Sequence, residues 1–248
     1  MKLASRLAVI ALLMSGIGSA SAADWYTGSA VVETPESWIV DVDTSVSVTS
    51  KDTVFAGASA TFAAVDNLRV SGWRGRIEGL VGRYTYEQHL TKQSIKSQQE
   101  GGGLMAGYEW VGRDTTAAIW AGIDIKNTTL SSPDPDNTVI GTGVGAKFAA
   151  QFYSKLSDGF MTSGYGSYST LHNAYYARLK AGWAVAQEVY LGPEFTILGD
   201  DFYRQYRVGI HLTGVRLGRL QLGVSGGFFN DNHQGNGGYG IVDARMGF

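Results

Sequence analysis

From residue 38 onward, apolar side chains fall on every second position of this chain. The even positions read Trp38, Val40, Val42, Thr44, Val46 and Val48, with Asp41, Asp43, Ser45 and Ser47 between them. Side chains of a strand point alternately to its two faces, so this pattern predicts a strand with one apolar and one polar face. The signature recurs at Val54, Ala56, Ala58, Ala60 and Phe62, and at Trp73, Ile77 and Val81 opposite Arg74, Arg76 and Glu78. It continues with Leu104 to Trp110, with Ala117 to Ile125 opposite Trp120, Asp124 and Lys126, and with Ile140 to Phe152 opposite Lys147 and Gln151. A seventh segment, from Phe160 to Ser169, is glycine-rich, and its facing is open. Further stripes follow at Tyr175 to Val185 opposite Tyr176, Arg178 and Lys180; at Val189 to Ile197 opposite Glu194; and at Tyr206 to Leu212 opposite Arg207 and His211. The last two run from Leu220 to Phe228 and from Val242 to Phe248, the latter opposite Asp243 and Arg245. Twelve strands are predicted, with no amphipathic helix between them.

The links alternate in length. Those after strands 3, 5, 7, 9 and 11 are expected at 87–96, 131–137, 170–173, 199–202 and 230–236. Those after strands 4, 8 and 10 are tight, at 112–114, 186–188 and 216–218. Long loops at one end and short turns at the other are the habit of an outer-membrane barrel with both termini in the periplasm. The expected fold is a closed antiparallel up-and-down transmembrane β-barrel over residues 37–248.

The first 22 residues differ from the rest. Lys2 and Arg6 precede a short apolar core at 7–14, and Ala20-Ser21-Ala22 fits a small-x-small cleavage site. This is the form of a secretory signal peptide, too short in its core to span a bilayer. A periplasmic segment, 23–36, would lead into the barrel.

Composition supports a barrel and removes other classes. Among 248 residues there are 34 glycines, 4 prolines and no cysteine, and charged residues make up 17%. Without cysteine there is no disulfide framework, zinc–cysteine site or thiol nucleophile. Removing Lys2 and Arg6 leaves 18 basic against 22 acidic residues, so nothing favours nucleic acid as a partner. The four histidines, His89, His172, His211 and His233, show no metal-site spacing, and no cofactor is expected.

A secreted all-β chain could instead be a soluble sandwich with the apolar face as its core. Three features point to a membrane. The polar faces are sparse and carry both signs of charge. Trp38, Trp73, Trp110 and Trp183 all fall in the apolar phase at the periplasmic level, as an interfacial girdle would. The chain ends on an aromatic of that phase, Phe248, a terminal motif in which outer-membrane barrels resemble one another. Outer-membrane lipid is thus an expected partner.

On this phasing the lumen receives Arg74, Arg76, Glu78, Trp120, Asp124, Lys126, Lys147, Tyr176, Arg178, Lys180, Glu194 and Arg207, with Asp41, Asp43, Glu109, Asp243 and Arg245. Near-balance of charge suggests ion pairs that fill the lumen, whereas a selective pore would favour one sign. Gly141, Gly143 and Gly145 share one face, where small residues suit a narrow interior. Ser167, Ser169 and His172 lie close in sequence, and outer-membrane lipid hydrolases use Ser and His on a barrel surface. A working pair needs hydrogen-bond geometry that sequence proximity does not supply.

Several stretches resemble the cellulose biosynthesis protein BcsS family of bacterial cellulose synthase gene clusters. They are Gly107-Tyr-Glu-Trp-Val111, Asn127-Thr-Thr-Leu-Ser131, Asp134-Pro-Asp-Asn137, Gly141-Thr-Gly143 and Gly192-Pro-Glu194. The densest are Tyr168-Ser-Thr-Leu-His-Asn-Ala-Tyr-Tyr-Ala-Arg-Leu-Lys-Ala-Gly-Trp183 and Leu198-Gly-Asp-Asp-Phe-Tyr-Arg-Gln-Tyr-Arg207. The resemblance implies an outer-membrane accessory role in cellulose export or surface anchoring, with cellulose and cellulose synthase proteins as partners. It brings no catalytic residues. A narrow small-solute porin is the alternative, and a Ser/His lipid hydrolase a further one. The two dense strings place His172, Asn173, Tyr175, Asp200, Asp201, Tyr203, Arg204 and Gln205 at the extracellular end. These are candidate glucan contacts, able to stack and to hydrogen-bond; the same residues could instead pin the two loops together.

Overall fold

The computed structural model describes residues 38–88 and 91–248. The signal peptide, the segment 23–36, residue 37 and His89 lie outside these residues.

Twelve strands run in order: β1 (Val40–Thr49), β2 (Val54–Ala63), β3 (Gly72–Glu87), β4 (Ser94–Val111), β5 (Thr115–Leu130), β6 (Gly141–Ser157), β7 (Phe160–Ser169), β8 (Tyr175–Ala186), β9 (Val189–Gly199), β10 (Arg204–Leu217), β11 (Leu220–Asp231) and β12 (Gly235–Gly247). Each pairs antiparallel with its neighbours, and β1 pairs with β12, so the sheet closes into a barrel. Closure leaves no strand edge, the condition for crossing a medium without water. Terminal Phe248 joins the seam: its N–H donates to the Val40 carbonyl and its own carbonyl accepts from Ile39 and Val40.

The alternation sorts side chains as expected. Ile77, Ile123, Val144, Val208 and Phe228 stand exposed on the outside, while Arg74, Arg76, Glu78, Arg178, Glu194 and Asp243 are buried inside. That is the inverse of a soluble barrel, and so continuous an apolar exterior suits hydrocarbon. The facing of β7 is settled too: Met161, Ser163, Tyr165 and Ser169 are buried within the barrel. Trp73, Trp110 and Trp183 hold the expected girdle, exposed at the end that carries the termini. Trp38 leaves it. It precedes β1, where alternation no longer binds it, and its ring occupies the space over Gly247, where a Cβ would collide.

The rim at the far end is uneven. β2 stops pairing with β3 at Arg83, and β7 stops pairing with β6 at Lys147. β3 to β6 run on beyond those points as a paired wall. Consequently the ends of the expected loop 87–96 are strand: β3 runs to Glu87 and β4 starts at Ser94, with Ile95 and, just beyond the loop, Ser97 fully buried. Above the apolar belt the wall's outer face carries Arg83, Lys96 and Glu100, so the apolar stripe that marks a strand in sequence is missing there. Gly143 and Gly145 line the inner face of β6 and make room for Leu171, in the 3-10 turn Leu171–Asn173.

Candidate functional site

The middle of the lumen is filled by ion pairs. Lys180 of β8 sits opposite Glu194 of β9 in the ladder, and Arg178 lies two positions away on the same face. The Arg178 guanidinium donates to Glu194 Oε2 at 2.7 Å and crosses the barrel to Asp243 of β12 at 3.1 Å. Lys180 Nζ approaches Asp243 to 3.3 Å, Ser45 donates to Asp243 at 2.9 Å, and Tyr239 donates to Glu194 at 3.2 Å. A second group joins Arg76 to Glu78 at 3.0 Å and Glu78 to Lys147 at 2.6 Å. The Arg76 guanidinium lies 5.6 Å from both the Trp120 and the Tyr165 ring centroids. Arg207 donates to Ser47 and Gln205 and covers the Tyr239 ring. Nearer the termini, Arg74 pairs with Glu109 and Arg245 with Asp41.

Most of this layer is shut off from water: Arg76 and Arg207 are 1% exposed and Asp243 0%. Charges taken out of water are tolerated where they meet opposite charges and hydrogen bonds: Arg178 and Lys180 meet Glu194 and Asp243, Arg76 and Lys147 meet Glu78, and Arg207 is held by Ser47 and Gln205.

Above it, toward the far end, lies a partly open cavity of about 90 Å³. Its inward side chains include Tyr84 from β3, Gln99 from β4, Lys126 from β5 and Tyr176 from β8, with Tyr203 from the β9–β10 loop. Glu78 and Lys147 form its floor; Asp124 and Asp200 stand at its sides. Asp124 accepts from Ser169 at 2.7 Å, and Asp200 caps its own turn by accepting from the N–H groups of Phe202 and Tyr203. Among the described residues, Lys126 makes no ion pair or hydrogen bond. Burial, and then the nearby Asp231 carboxylate, hold the Tyr203 hydroxyl well above the usual tyrosine range, so it stays a donor to Asp231 at 3.4 Å.

Beside the cavity the mouth is roofed. Three loops meet at Tyr86 on the inner face of β3. Its hydroxyl donates to Asp134 at 2.7 Å and accepts from Asn137 at 3.1 Å, both in the β5–β6 loop. Its ring meets Phe202 edge-on at 5.2 Å and His233 at 5.7 Å, and Phe202 and His233 stack at 4.2 Å.

Of the expected lumen residues, all are buried except Lys126, Lys147 and Arg245, which are half-buried. The structure divides the eight expected glucan contacts. Tyr175, Asp200 and Tyr203 border the cavity. His172, Asn173 and Asp201 tie the β7–β8 and β9–β10 loops: Asp201 N–H donates to the His172 carbonyl at 2.9 Å and Asn173 donates to Asp201 at 2.8 Å. Gln205 is buried and donates to Tyr203, and Arg204 is exposed at the start of β10. Ser169 donates to Asp124; among the described residues no hydrogen bond joins the His172 ring to Ser167 or Ser169. Nor do those residues contain a group of three or more His, Asp or Glu able to hold a metal ion. Sequence reasoning missed Tyr84, Tyr86 and Gln99, which continuing the alternation of β3 and β4 outward would have found. It also missed Phe202 and His233 as roof residues, for which no local pattern exists.

The family model described as cellulose biosynthesis protein BcsS matches residues 45–248. No curated protein matches the chain. Among solved structures, the chain is similar to the KdgM porin (TM-score 0.48, 9% identity, covering 84% of this chain and 99% of that one). It is also similar to the toluene transporter TodX of Pseudomonas putida (TM-score 0.46, 8% identity, 94% and 97%). A third is the transport unit of the autotransporter AIDA-I from Escherichia coli (TM-score 0.43, 12% identity, 88% and 93%).

Proposed function

Because this chain belongs to the cellulose biosynthesis protein BcsS family, we propose that it is a non-enzymatic outer-membrane barrel that anchors secreted cellulose at the cell surface. The observation that carries this reading is the filled lumen. Arg178, held between Glu194 and Asp243, blocks the bore, so a glucan cannot be threaded through it. Contact with the polymer is then made from outside, at the end where the roof and the cavity lie. The apolar exterior and the aromatic girdle support an outer-membrane location, with the terminus end toward the periplasm.

The porin alternative needs a water-filled bore, and the buried ion pairs argue against one. The hydrolase alternative needs a base on its nucleophile. Ser169 instead donates to a carboxylate that is already held in the lumen wall.

Deleting the gene and measuring total and cell-attached cellulose tests the anchoring role. The attached fraction is expected to fall while total secretion persists. An unchanged attached fraction overturns the reading.

A further inference from the structure

The cavity above the ion-pair layer has no part in barrel closure, and its chemistry is specific. Four tyrosines, Tyr84, Tyr175, Tyr176 and Tyr203, border it together with Gln99 and Lys126. Aromatic faces against C–H groups, combined with donors and acceptors within reach, are what a polyhydroxylated ring requires. Three carboxylates, Glu78, Asp124 and Asp200, border the space against the two ammonium groups of Lys126 and Lys147. With Arg76 paired to Glu78 just behind the floor, three cations balance three carboxylates, so an acidic ligand meets no surplus of positive charge and a neutral sugar fits better. The floor is closed. The Glu78–Lys147 pair at 2.6 Å seals it, and Arg76 lies behind that pair. A polymer can enter only by its end. At about 90 Å³ the space is smaller than the ~150 Å³ engineered cavity that takes up benzene, so it seats one edge of a six-membered sugar ring while the rest stands in the open side.

We propose that this blind cavity is a binding site for the terminal sugar of a neutral β-linked glucan chain. Lys126 supplies a hydrogen-bond donor that no protein group occupies, and Tyr84 and Tyr203, with ring centroids 6.2 Å apart, supply the apolar wall. The proposal rests on the reading that cellulose is the partner, and it gives the anchor its chemistry: capture of chain ends in place of adsorption along a fibre.

The test is calorimetric titration of the detergent-refolded full barrel with cellopentaose, beside maltopentaose and pentagalacturonate. Lys126→Ala removes the unused donor, and Ser167→Phe fills the space from β7. Each variant's fold is verified by its heat-modifiable gel migration. The expected result is cellopentaose binding weakened at least tenfold by both folded variants, with pentagalacturonate binding more weakly than cellopentaose to the wild type. Equal cellopentaose affinity in wild type and both folded variants overturns the site, and so does tighter binding of pentagalacturonate. If that happens while gene deletion still lowers attached cellulose, anchoring stands and the site falls. If deletion changes nothing while the variants lose binding, the site stands as a sugar site and anchoring falls.

Discussion

The Tyr86 hydroxyl donates to Asp134 Oδ2 at 2.7 Å across 48 positions of sequence, joining the inner face of β3 to the β5–β6 loop. Gln88 donates to the other oxygen of the same carboxylate at 3.1 Å, and Asn137 returns a hydrogen bond to the Tyr86 hydroxyl. One phenol thus holds a loop inward while its ring carries two aromatic partners from the opposite rim.

Tyr86→Phe keeps the ring and removes the hydroxyl. Asn137 loses its acceptor and Asp134 one donor, both of them buried. The expected cost is about 1–3 kcal/mol. It should be localised, with faster amide exchange at residues 134–139 and unchanged exchange in β8 and β9. Unchanged exchange in the loop would show that other contacts hold it.

Arg178→Met leaves Glu194 and Asp243 facing each other with Lys180 as the remaining cation. Removing one partner of a buried charge cluster costs about 3–5 kcal/mol. The urea midpoint of the vesicle-inserted barrel should drop accordingly. Adding Glu194→Gln to the same chain should recover part of the loss, because it leaves Lys180 matched one to one with Asp243.

Ile123→Arg tests what surrounds the barrel. Ile123 lies outward on β5, 57% exposed and beside other exposed apolar residues. In lipid, an arginine near mid-depth costs about 2–4 kcal/mol. On a water-facing surface the same change stays within ~0.5 kcal/mol. Urea titration in vesicles separates the two.

In a planar bilayer the wild-type barrel should show no steady ohmic current, because Arg76, Arg178 and Arg207 occupy the bore with their partners. A persistent open-channel current at low voltage would contradict the filled lumen.

The facing of most strands was legible in advance because a closed sheet enforces it. Once Arg74, Arg76 and Glu78 share one face, their outside neighbours follow. Signal failed where the physics behind it changed. Beyond the apolar belt the outer faces of β3 and β4 turn polar, and the inner face of β4 mixes Ile95 with Ser97 and Gln99, so Ser94 to Gly103 lost the contrast that marks a strand. β7 hid its facing because glycines occupy its outward positions at 164 and 166. The candidate site was half legible. Lys126, Tyr176 and Tyr203 were named from phase and from the dense strings, but the union of the two sets depends on a loop folding over the lumen. Arg178 finding Asp243 depends on curvature of the whole sheet, and no local window encodes it. Asn173 and Asp201, read as glucan contacts, are engaged with each other.

The uneven rim gives the molecule a heading. A barrel of even height presents its mouth straight outward, and every direction of approach in the membrane plane is equivalent. Here the paired wall of β3 to β6 screens one side, and the low rim of β7 to β12 leaves the other side open. In an outer membrane, anything moving along the surface would meet two different faces, so rotation of the barrel about its own axis becomes a variable. Neighbouring barrels that shared an orientation would all open in one direction, and a fibre they held would acquire a direction along the surface.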